Sequence, residues 1–175
     1  MMSETKPLLG FVAFSGTGKT TLLSQVIPLL KSRKIRIGML KHAHHDFDID
    51  QPGKDSYILR KSGAEQVLVA SSQRWALMVE TPGQQDADLW NLLNHFDLDK
   101  LDLLLIEGFK HIRYPKIEVY RRSLNNPYLY PEDDSIIALA IDNPQFSDCP
   151  LPVLDINKPD TIVEFILKEI LNLSA

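Results

Sequence analysis

The sequence contains a single cysteine, Cys149, among its 175 residues. One cysteine cannot form a disulfide within the chain, nor can it supply the several thiolates of a cysteine-based zinc site. A run of about 20 apolar residues, which a membrane-spanning helix needs, is also missing. The first residues include an acid, Glu4, where a signal peptide would carry positive charge. These absences predict a cytoplasmic protein with no membrane partner.

An excess of positive charge is lacking as well. The chain has 19 Lys and Arg against 23 Asp and Glu, and its formal net charge is −4. Such a balance offers no general attraction to nucleic acid, so we expect no nucleic-acid partner, although a local basic pocket for phosphates is still allowed. The 44% share of hydrophobic residues is ordinary for a globular protein. We therefore expect one compact domain over residues 1–175.

A glycine-rich run, Ala13-Phe-Ser-Gly-Thr-Gly-Lys-Thr20, follows a short apolar segment and precedes a helical pattern. Its spacing is that of a phosphate-binding P-loop, with Ala13 in place of the usual first glycine. The glycines let backbone N–H groups turn toward phosphate oxygens, and the helix that follows presents its positive end. Lys19 would neutralise the β and γ phosphates, and Thr20 would ligate Mg²⁺. The predicted nucleotide-binding residues here are Ser15, Gly16, Thr17, Gly18, Lys19, Thr20 and Thr21.

Short apolar runs alternate with helical patterns along the rest of the chain. This alternation predicts an α/β fold, a three-layer P-loop NTPase with a mainly parallel sheet flanked by helices. The predicted strands are 8–14, 35–40, 67–70, 75–79, 101–106, 117–121, 136–141 and 153–156, and the predicted helices are 19–32, 55–63, 87–96 and 161–173. Pro28 predicts a kink in the first helix or an earlier end. Charges alternate with apolar residues in 117–121, which predicts an edge strand. We expect the excursion 113–134 to extend the sheet edge and to pair with a second copy.

A carboxylate near the magnesium ion is the next requirement of a P-loop protein. Glu107 ends the apolar run 101–106, which places it at the carboxyl edge of the sheet, where α/β proteins bind ligands. Asp102 would lie at the opposite end of that strand. Glu107 is therefore the predicted metal-proximal or water-orienting acid, with Glu80 as second choice. The alternative is that Glu107 is an ordinary charge in a turn.

Three histidines and three aspartates follow the predicted strand 35–40, in the run Lys41-His-Ala-His-His-Asp-Phe-Asp-Ile-Asp50. The run is compatible with a loop that contacts the nucleotide, in which Asp46 would be a catalytic and magnesium-binding acid. It is equally compatible with a transition-metal site built from His42, His44 and His45, since imidazole suits zinc or nickel. A polar loop without chemistry is the third interpretation.

Two acidic positions are candidates for reading a guanine base. Asn157-Lys-Pro-Asp160 matches a guanine-binding box, but Asn157 or Asp160 could equally cap the last helix. Asp142 follows the strand 136–141 and is an equally good place for a base-reading carboxylate. The residues alone leave this choice open.

Taken together, these segments resemble the MobB family of molybdenum cofactor biosynthesis. The resemblance spans residues 8 to about 157 and rests on the phosphate loop, the histidine run and the segments 52–57, 60–64, 74–80 and 105–111. It implies a GTP-binding protein with weak GTPase activity, similar to SIMIBI-type GTPases and dimeric. It also implies a partner, the guanylyltransferase MobA, which attaches GMP to molybdopterin to form molybdopterin guanine dinucleotide.

Other functions on the same fold stay open at this point. The histidines fit a nickel- or zinc-insertion GTPase, and the pair Arg121-Arg122 could belong to the lid of a small-molecule kinase. A module that binds nucleotide only to control docking is a further possibility. Lys54, Arg60 and Lys61 could form a basic patch for a pterin pyrophosphate or a partner, or simply a solvated helix face.

Overall fold

The structure is a computed structural model that describes residues 7–43, 47–145 and 149–173. The chain divides into two compact units, a larger one formed by Met1–His42 with Leu89–Ala175 and a smaller one formed by Ala43–Asp88. A six-stranded sheet lies in the larger unit and a two-stranded sheet in the smaller. The single domain expected from the sequence stays a prediction.

The strands and helices follow the predicted order along the chain. The strands are β1 (Leu8–Val12), β2 (Ile37–Lys41), β3 (Gln66–Ala70), β4 (Trp75–Val79), β5 (Leu103–Glu107), β6 (Lys116–Tyr120), β7 (Ile136–Ile141) and β8 (Val153–Asp155). The α-helices are α1 (Lys19–Ser32), α2 (Asp55–Lys61), α3 (Leu89–Leu93) and α4 (Pro159–Phe165), and a π-helix, Ile166–Ile170, continues α4. Short 3-10 helices span Leu98–Lys100, Arg122–Leu124 and Tyr130–Glu132. Within the ranges described, none of the helices is long and apolar enough to cross a membrane.

The larger sheet has the strand order β2-β5-β1-β6-β7-β8, and its neighbouring strands are parallel. Leu9 and Phe11 of β1 are fully buried in a core shared with α1 and α4. Apolar residues of α1 recur on one face at Leu22, Leu23, Val26 and Leu30. The predicted α/β architecture is confirmed. Because parallel strands bring their carboxyl ends to one edge, the loops after β1, β2, β5, β6 and β7 meet there.

Helix α1 continues through Pro28 to Ser32, so the earlier end, one of the two effects predicted for Pro28, is wrong, and the kink stays a prediction. Pro28 is exposed. At an exposed helix position, water can hydrogen-bond the carbonyl that a proline leaves without its N–H partner.

The predicted edge position of the segment 117–121 is also wrong. Strand β6 lies between β1 and β7, and its residues are all buried. The alternating charges that suggested an edge have partners inside the protein. Lys116 forms an ion pair of 2.6 Å with Asp133, and the carboxylate of Glu118 accepts hydrogen bonds from the backbone N–H groups of Leu129 and Tyr130. The segment expected to extend the sheet edge therefore contributes an interior strand and the connection that packs on it.

The smaller unit contains α2 and an antiparallel hairpin of β3 and β4, as predicted. Residues opposite each other in the hairpin share a face, as do alternate residues along each strand. One face therefore carries a set of apolar side chains, which we call the hairpin face: Leu68, Trp75, Leu77 and Val79. All of these side chains are exposed, Leu68 by 60% and Trp75 by 65%.

Candidate functional site

The loop between β1 and α1, residues 13–18, contains the two glycines of the P-loop pattern. Gly16 (φ 79°) and Gly18 (φ 92°) adopt left-handed conformations, which glycine accepts at little cost. Thr17 is buried, and its hydroxyl donates a 3.0 Å hydrogen bond to the carbonyl of Phe14. Ser15 is exposed in the same loop, and Thr21 is exposed in the first turn of α1. Such a loop at a helix N-terminus is suited to anionic oxygens.

Lys19, the first residue of α1, folds back over this loop. Its Nζ atom lies 3.3 Å from the carbonyl oxygen of Ala13 and 3.5 Å from that of Phe14. Burial lowers the pKa of Lys19, while the charge of Glu107 opposes that shift. An ammonium group withdrawn from water attracts a phosphate more strongly than an exposed one does.

Glu107, at the end of β5, reaches the first turn of α1. Its side chain is largely buried, and Oε1 accepts a 3.3 Å hydrogen bond from the hydroxyl of Thr20. Its other oxygen, Oε2, lies 3.6 Å from Nζ of Lys41 at the end of β2. The structure thus brings together Lys19, Thr20 and Glu107. A hydroxyl and a carboxylate oxygen are ligands that suit Mg²⁺, which takes few protein ligands and completes its shell with phosphate and water.

The backbone of Glu107 is hydrogen-bonded to the chain after β2 and is followed by a tight turn. The carbonyl of Glu107 accepts a 2.8 Å hydrogen bond from the N–H group of His42, and the next residue, Gly108, has φ 102°. The ring of His42 stacks on Phe109 with 4.4 Å between ring centroids. His42 is therefore a packing partner of the turn that carries Glu107.

The rest of the histidine run is only partly described. His44, His45 and Asp46 lie outside the described residues, so the predicted catalytic and magnesium-binding role of Asp46 stays a prediction. Among the residues that are described, no group of three or more His, Cys, Asp or Glu side chains is arranged to hold a metal ion.

Arg121 and Asp142 lie on the other side of β1, after β6 and β7. The Nε atom of Arg121 donates a 3.3 Å hydrogen bond to the carbonyl of Thr17 in the loop between β1 and α1. Asp142 accepts a 3.1 Å hydrogen bond from the backbone N–H group of Arg122. The contact of Arg121 with the loop is not expected from the sequence, where Arg121 is only a candidate for a kinase lid. Adjacency of β6 to β1 is what creates it.

Other acidic candidates have structural partners away from this loop. Asp102 lies at the amino end of β5 and forms a 2.6 Å ion pair with Arg36. Glu80 belongs to the smaller unit, where it contacts Arg60 at 2.9 Å. Arg60 is buried and also paired with Asp48 and Asp50, both at 2.6 Å. The interpretations of Arg60 as part of a basic patch or of a solvated helix face are therefore wrong.

The segment 157–160 precedes and begins α4. The N-cap residue is Lys158, and no side chain caps the helix. The expected cap by Asn157 or Asp160 is therefore wrong. Asp160 lies in the first turn, and its role in reading guanine stays a prediction.

Comparisons with known proteins agree on one group. A family model described as "MobB: Molybdopterin guanine dinucleotide synthesis protein B" matches residues 8–142. The chain is 51% identical over 163 residues to the molybdopterin-guanine dinucleotide biosynthesis adapter protein of Escherichia coli (strain K12), covering 93% of this chain and 92% of that one. It is 42% identical over 166 residues to the adapter protein of the same name from Haemophilus influenzae, covering 94% and 90%. The crystal structure of Bacillus subtilis MobB aligns with a TM-score of 0.73 at 25% identity, over 94% of this chain and 98% of that one.

Proposed function

The chain belongs to the MobB family, and on that premise we propose that it is an adapter protein in the biosynthesis of molybdopterin guanine dinucleotide. Its relatives from Escherichia coli and Haemophilus influenzae carry that description over nearly their whole length. The proposed partner is the guanylyltransferase MobA, with molybdopterin as a second ligand. In this role the protein assists the transfer of GMP rather than performing it.

GTP is the proposed ligand of the phosphate loop. The observation that carries this proposal is the left-handed glycine loop with Lys19 folded over it and Glu107 within 3.3 Å of Thr20. Backbone N–H groups of the loop and the Lys19 ammonium would hold the β and γ phosphates. Thr20 and Glu107 would hold Mg²⁺, which supplies positive charge for the phosphate oxygens. Asp46 is proposed as a further acid at this ion.

Weak GTPase activity is proposed to accompany binding. Glu107 is proposed to orient a water molecule, and this is supported by its carboxylate, which lies beside Thr20 at the same sheet edge as the loop. Asp142 is the proposed reader of guanine, supported by its position after β7, the strand next to β6. Slow hydrolysis suits a protein in which the bound nucleotide controls docking to the guanylyltransferase.

A homodimer is proposed through the hairpin face defined above. An isolated two-stranded hairpin is marginally stable in water, and an exposed apolar face of this kind marks a contact surface. Pairing of two hairpin faces would remove Leu68, Trp75, Leu77 and Val79 from water.

A nucleotide-binding panel with and without the purified guanylyltransferase tests the proposal. We expect the wild type to bind GTP in the presence of Mg²⁺ and to raise the guanylyltransferase rate. Lys19→Ala should weaken triphosphate binding by about tenfold or more with unchanged circular dichroism, because a direct charge contact with phosphate is lost. Lys31→Ala, in the last turn of α1, is the matched control and should bind normally. A folded, magnesium-saturated wild type without affinity for any nucleoside triphosphate or diphosphate would refute the proposal.

A further inference from the structure

Different side chains flank the phosphate loop on its two sides. Because β1 lies between β5 and β6, the loop that follows β1 has the end of β5 on one side and the end of β6 on the other. Glu107 lies on the β5 side together with Lys41. Arg121 and Asp142 lie on the β6 side. Arg121 follows β6 itself, and Asp142 follows β7, the next strand in the sheet. The site is therefore asymmetric.

A nucleotide is asymmetric as well, with terminal phosphates at one end and a base at the other. Each end of the nucleotide can therefore be assigned to one side of the site. Thr20 and Glu107 offer oxygen ligands that would hold Mg²⁺, which would supply positive charge for the terminal phosphates. The terminal phosphates of a bound nucleotide would therefore lie toward β5. Its α phosphate, ribose and base would then extend toward β6 and β7, where Arg121 and Asp142 lie. This step rests on the proposed function.

Arg121 is held at the boundary between the loop and α1. Its Nε atom donates to the carbonyl of Thr17 at 3.3 Å, and its Nη2 atom lies 3.4 Å from the position that a Cβ on Gly18 would occupy. The bond to Thr17 engages Nε, and the guanidinium carries four further N–H groups on Nη1 and Nη2. The guanidinium plane is thus anchored beside the loop, with a fork of donors next to it.

We propose that Arg121 contacts the base of the bound nucleotide and favours guanine over adenine. Guanine presents two acceptors, O6 and N7, that a guanidinium fork engages together, whereas adenine presents N7 beside an amino donor. Asp142 supplies acceptors on the neighbouring strand, and its carboxylate is fixed by the backbone N–H group of Arg122. Donors from Arg121 and acceptors from Asp142 together complement the two edges of guanine.

A structural role for Arg121 makes a different prediction. If the arginine only braced the loop through Thr17, its loss would weaken every ligand that the loop holds, including a polyphosphate without a nucleoside. If Arg121 contacts guanine, its loss leaves the affinity for a polyphosphate without a nucleoside unchanged. Inorganic tripolyphosphate with Mg²⁺ therefore separates the two roles.

The test is a calorimetric titration of full-length wild type, Arg121→Ala and Arg121→Gln with GTP, ATP and tripolyphosphate. Both variants should bind GTP about tenfold more weakly, while ATP and tripolyphosphate bind as to wild type. Glutamine can still donate to the Thr17 carbonyl, so Arg121→Gln guards against a folding defect in the alanine variant. Arg122→Ala is the matched control, because its backbone N–H group still reaches Asp142, and it should behave as wild type.

Three results would overturn the inference: unchanged GTP affinity in both variants, equal losses for GTP and ATP, or an equal loss for tripolyphosphate. Each of these leaves the proposed function standing as long as the wild type binds GTP and Lys19→Ala binds it about tenfold more weakly. A wild type that binds no nucleotide would instead remove the proposed function and this inference together.

Discussion

At the scale of single residues, the turn after β5 depends on the absence of one side chain. Gly108 has φ 102°, and a Cβ built there would lie 2.8 Å from Cβ of His42. The following residue, Phe109, is itself left-handed at φ 51°. Because this turn sets the direction of the chain after Glu107, a change at Gly108 disturbs the carboxylate that the site needs.

We expect Gly108→Ala to lower the free energy of unfolding by about 2 kcal/mol or more, measured by urea denaturation without ligand. A left-handed alanine costs roughly 1–2 kcal/mol on its own, and the contact with His42 adds to it. Gly16→Ala is the control, since Gly16 has φ 79° and nothing lies within 4 Å of its added Cβ. Equal losses for the two variants would show that the packing against His42 costs nothing.

At the scale of elements, the connection from β6 to β7 is anchored to the sheet by buried charge. The ammonium group of Lys116 is almost fully buried, pairs with Asp133 at 2.6 Å and donates to the carbonyls of Lys110 and Ile112. Burial alone would raise the pKa of Asp133, but hydrogen bonds from Lys116 and Ser135 outweigh it and hold that pKa below its ordinary value of 3.8. The ion pair between Lys116 and Asp133 thus adds to the hydrogen bonds of Glu118 in tying the connection to the interior strand.

Asp133→Ala should lower the free energy of unfolding by about 3 kcal/mol near neutral pH, because it leaves a buried ammonium without its counter-charge. Since the pKa of Asp133 is depressed, its contribution is present above pH 3.8 and is lost as the pH falls through the folded-state pKa. The difference from wild type in urea denaturation should therefore shrink in that acid range.

The neighbouring variant Asp134→Ala serves as control for this ion pair. Asp134 pairs with Arg113 at the surface, where both side chains are more than 70% exposed. Removing such a pair should cost less than about 1 kcal/mol. Similar losses for the two aspartates would contradict the anchoring role of Asp133.

At the scale of the whole molecule, the hairpin face is an apolar surface of the smaller unit that is exposed to solvent. It pairs Leu68 with Leu77 across the hairpin and adds Trp75 and Val79 at its ends, all exposed. Burying this face against a second copy removes apolar area from water and supports a hairpin that has only two strands.

We expect Leu68→Lys to weaken dimerisation by about tenfold or more in sedimentation equilibrium, because a charge in an apolar interface is costly to desolvate. Gln73→Lys, in the exposed turn between β3 and β4, places the same charge off the hairpin face and should leave the dimer intact. A wild type that sediments as a monomer, or a Leu68→Lys variant that remains dimeric, would exclude this interface.

Much of the fold follows from patterns that are local in the sequence. The apolar run 101–106 predicts β5, and the helical stripe from 19 to 32 predicts α1 at its observed bounds. Helix ends that depend on packing are less predictable: the predicted helix 161–173 is α4 followed by the π-helix Ile166–Ile170. The predicted edge position of β6 is wrong for a similar reason, which is that it depends on packing between distant residues. Its charged residues suggest an exposed strand until their partners in 129–133 are known.

Some contacts of the candidate site can likewise be predicted from the sequence, and others cannot. The approach of Thr20 to Glu107 follows from the P-loop pattern together with a strand that ends in an acid, although the two residues are 87 positions apart. The ion pair of Glu107 with Lys41 requires that β2 lies beside β5. No local sequence pattern predicts that these two strands are neighbours. The contact of Arg121 with Thr17 likewise requires β6 beside β1.

By itself the sequence determined the glycine-rich loop after β1, the buried strands and the acid after β5, because glycine conformations and hydrophobic patterns act within a few residues of each other. The tertiary structure alone decided which strands are neighbours, and hence that Arg121 reaches a loop 104 residues earlier in the chain. Strand order depends on hydrogen bonds and packing between distant segments, where several arrangements satisfy the same local patterns.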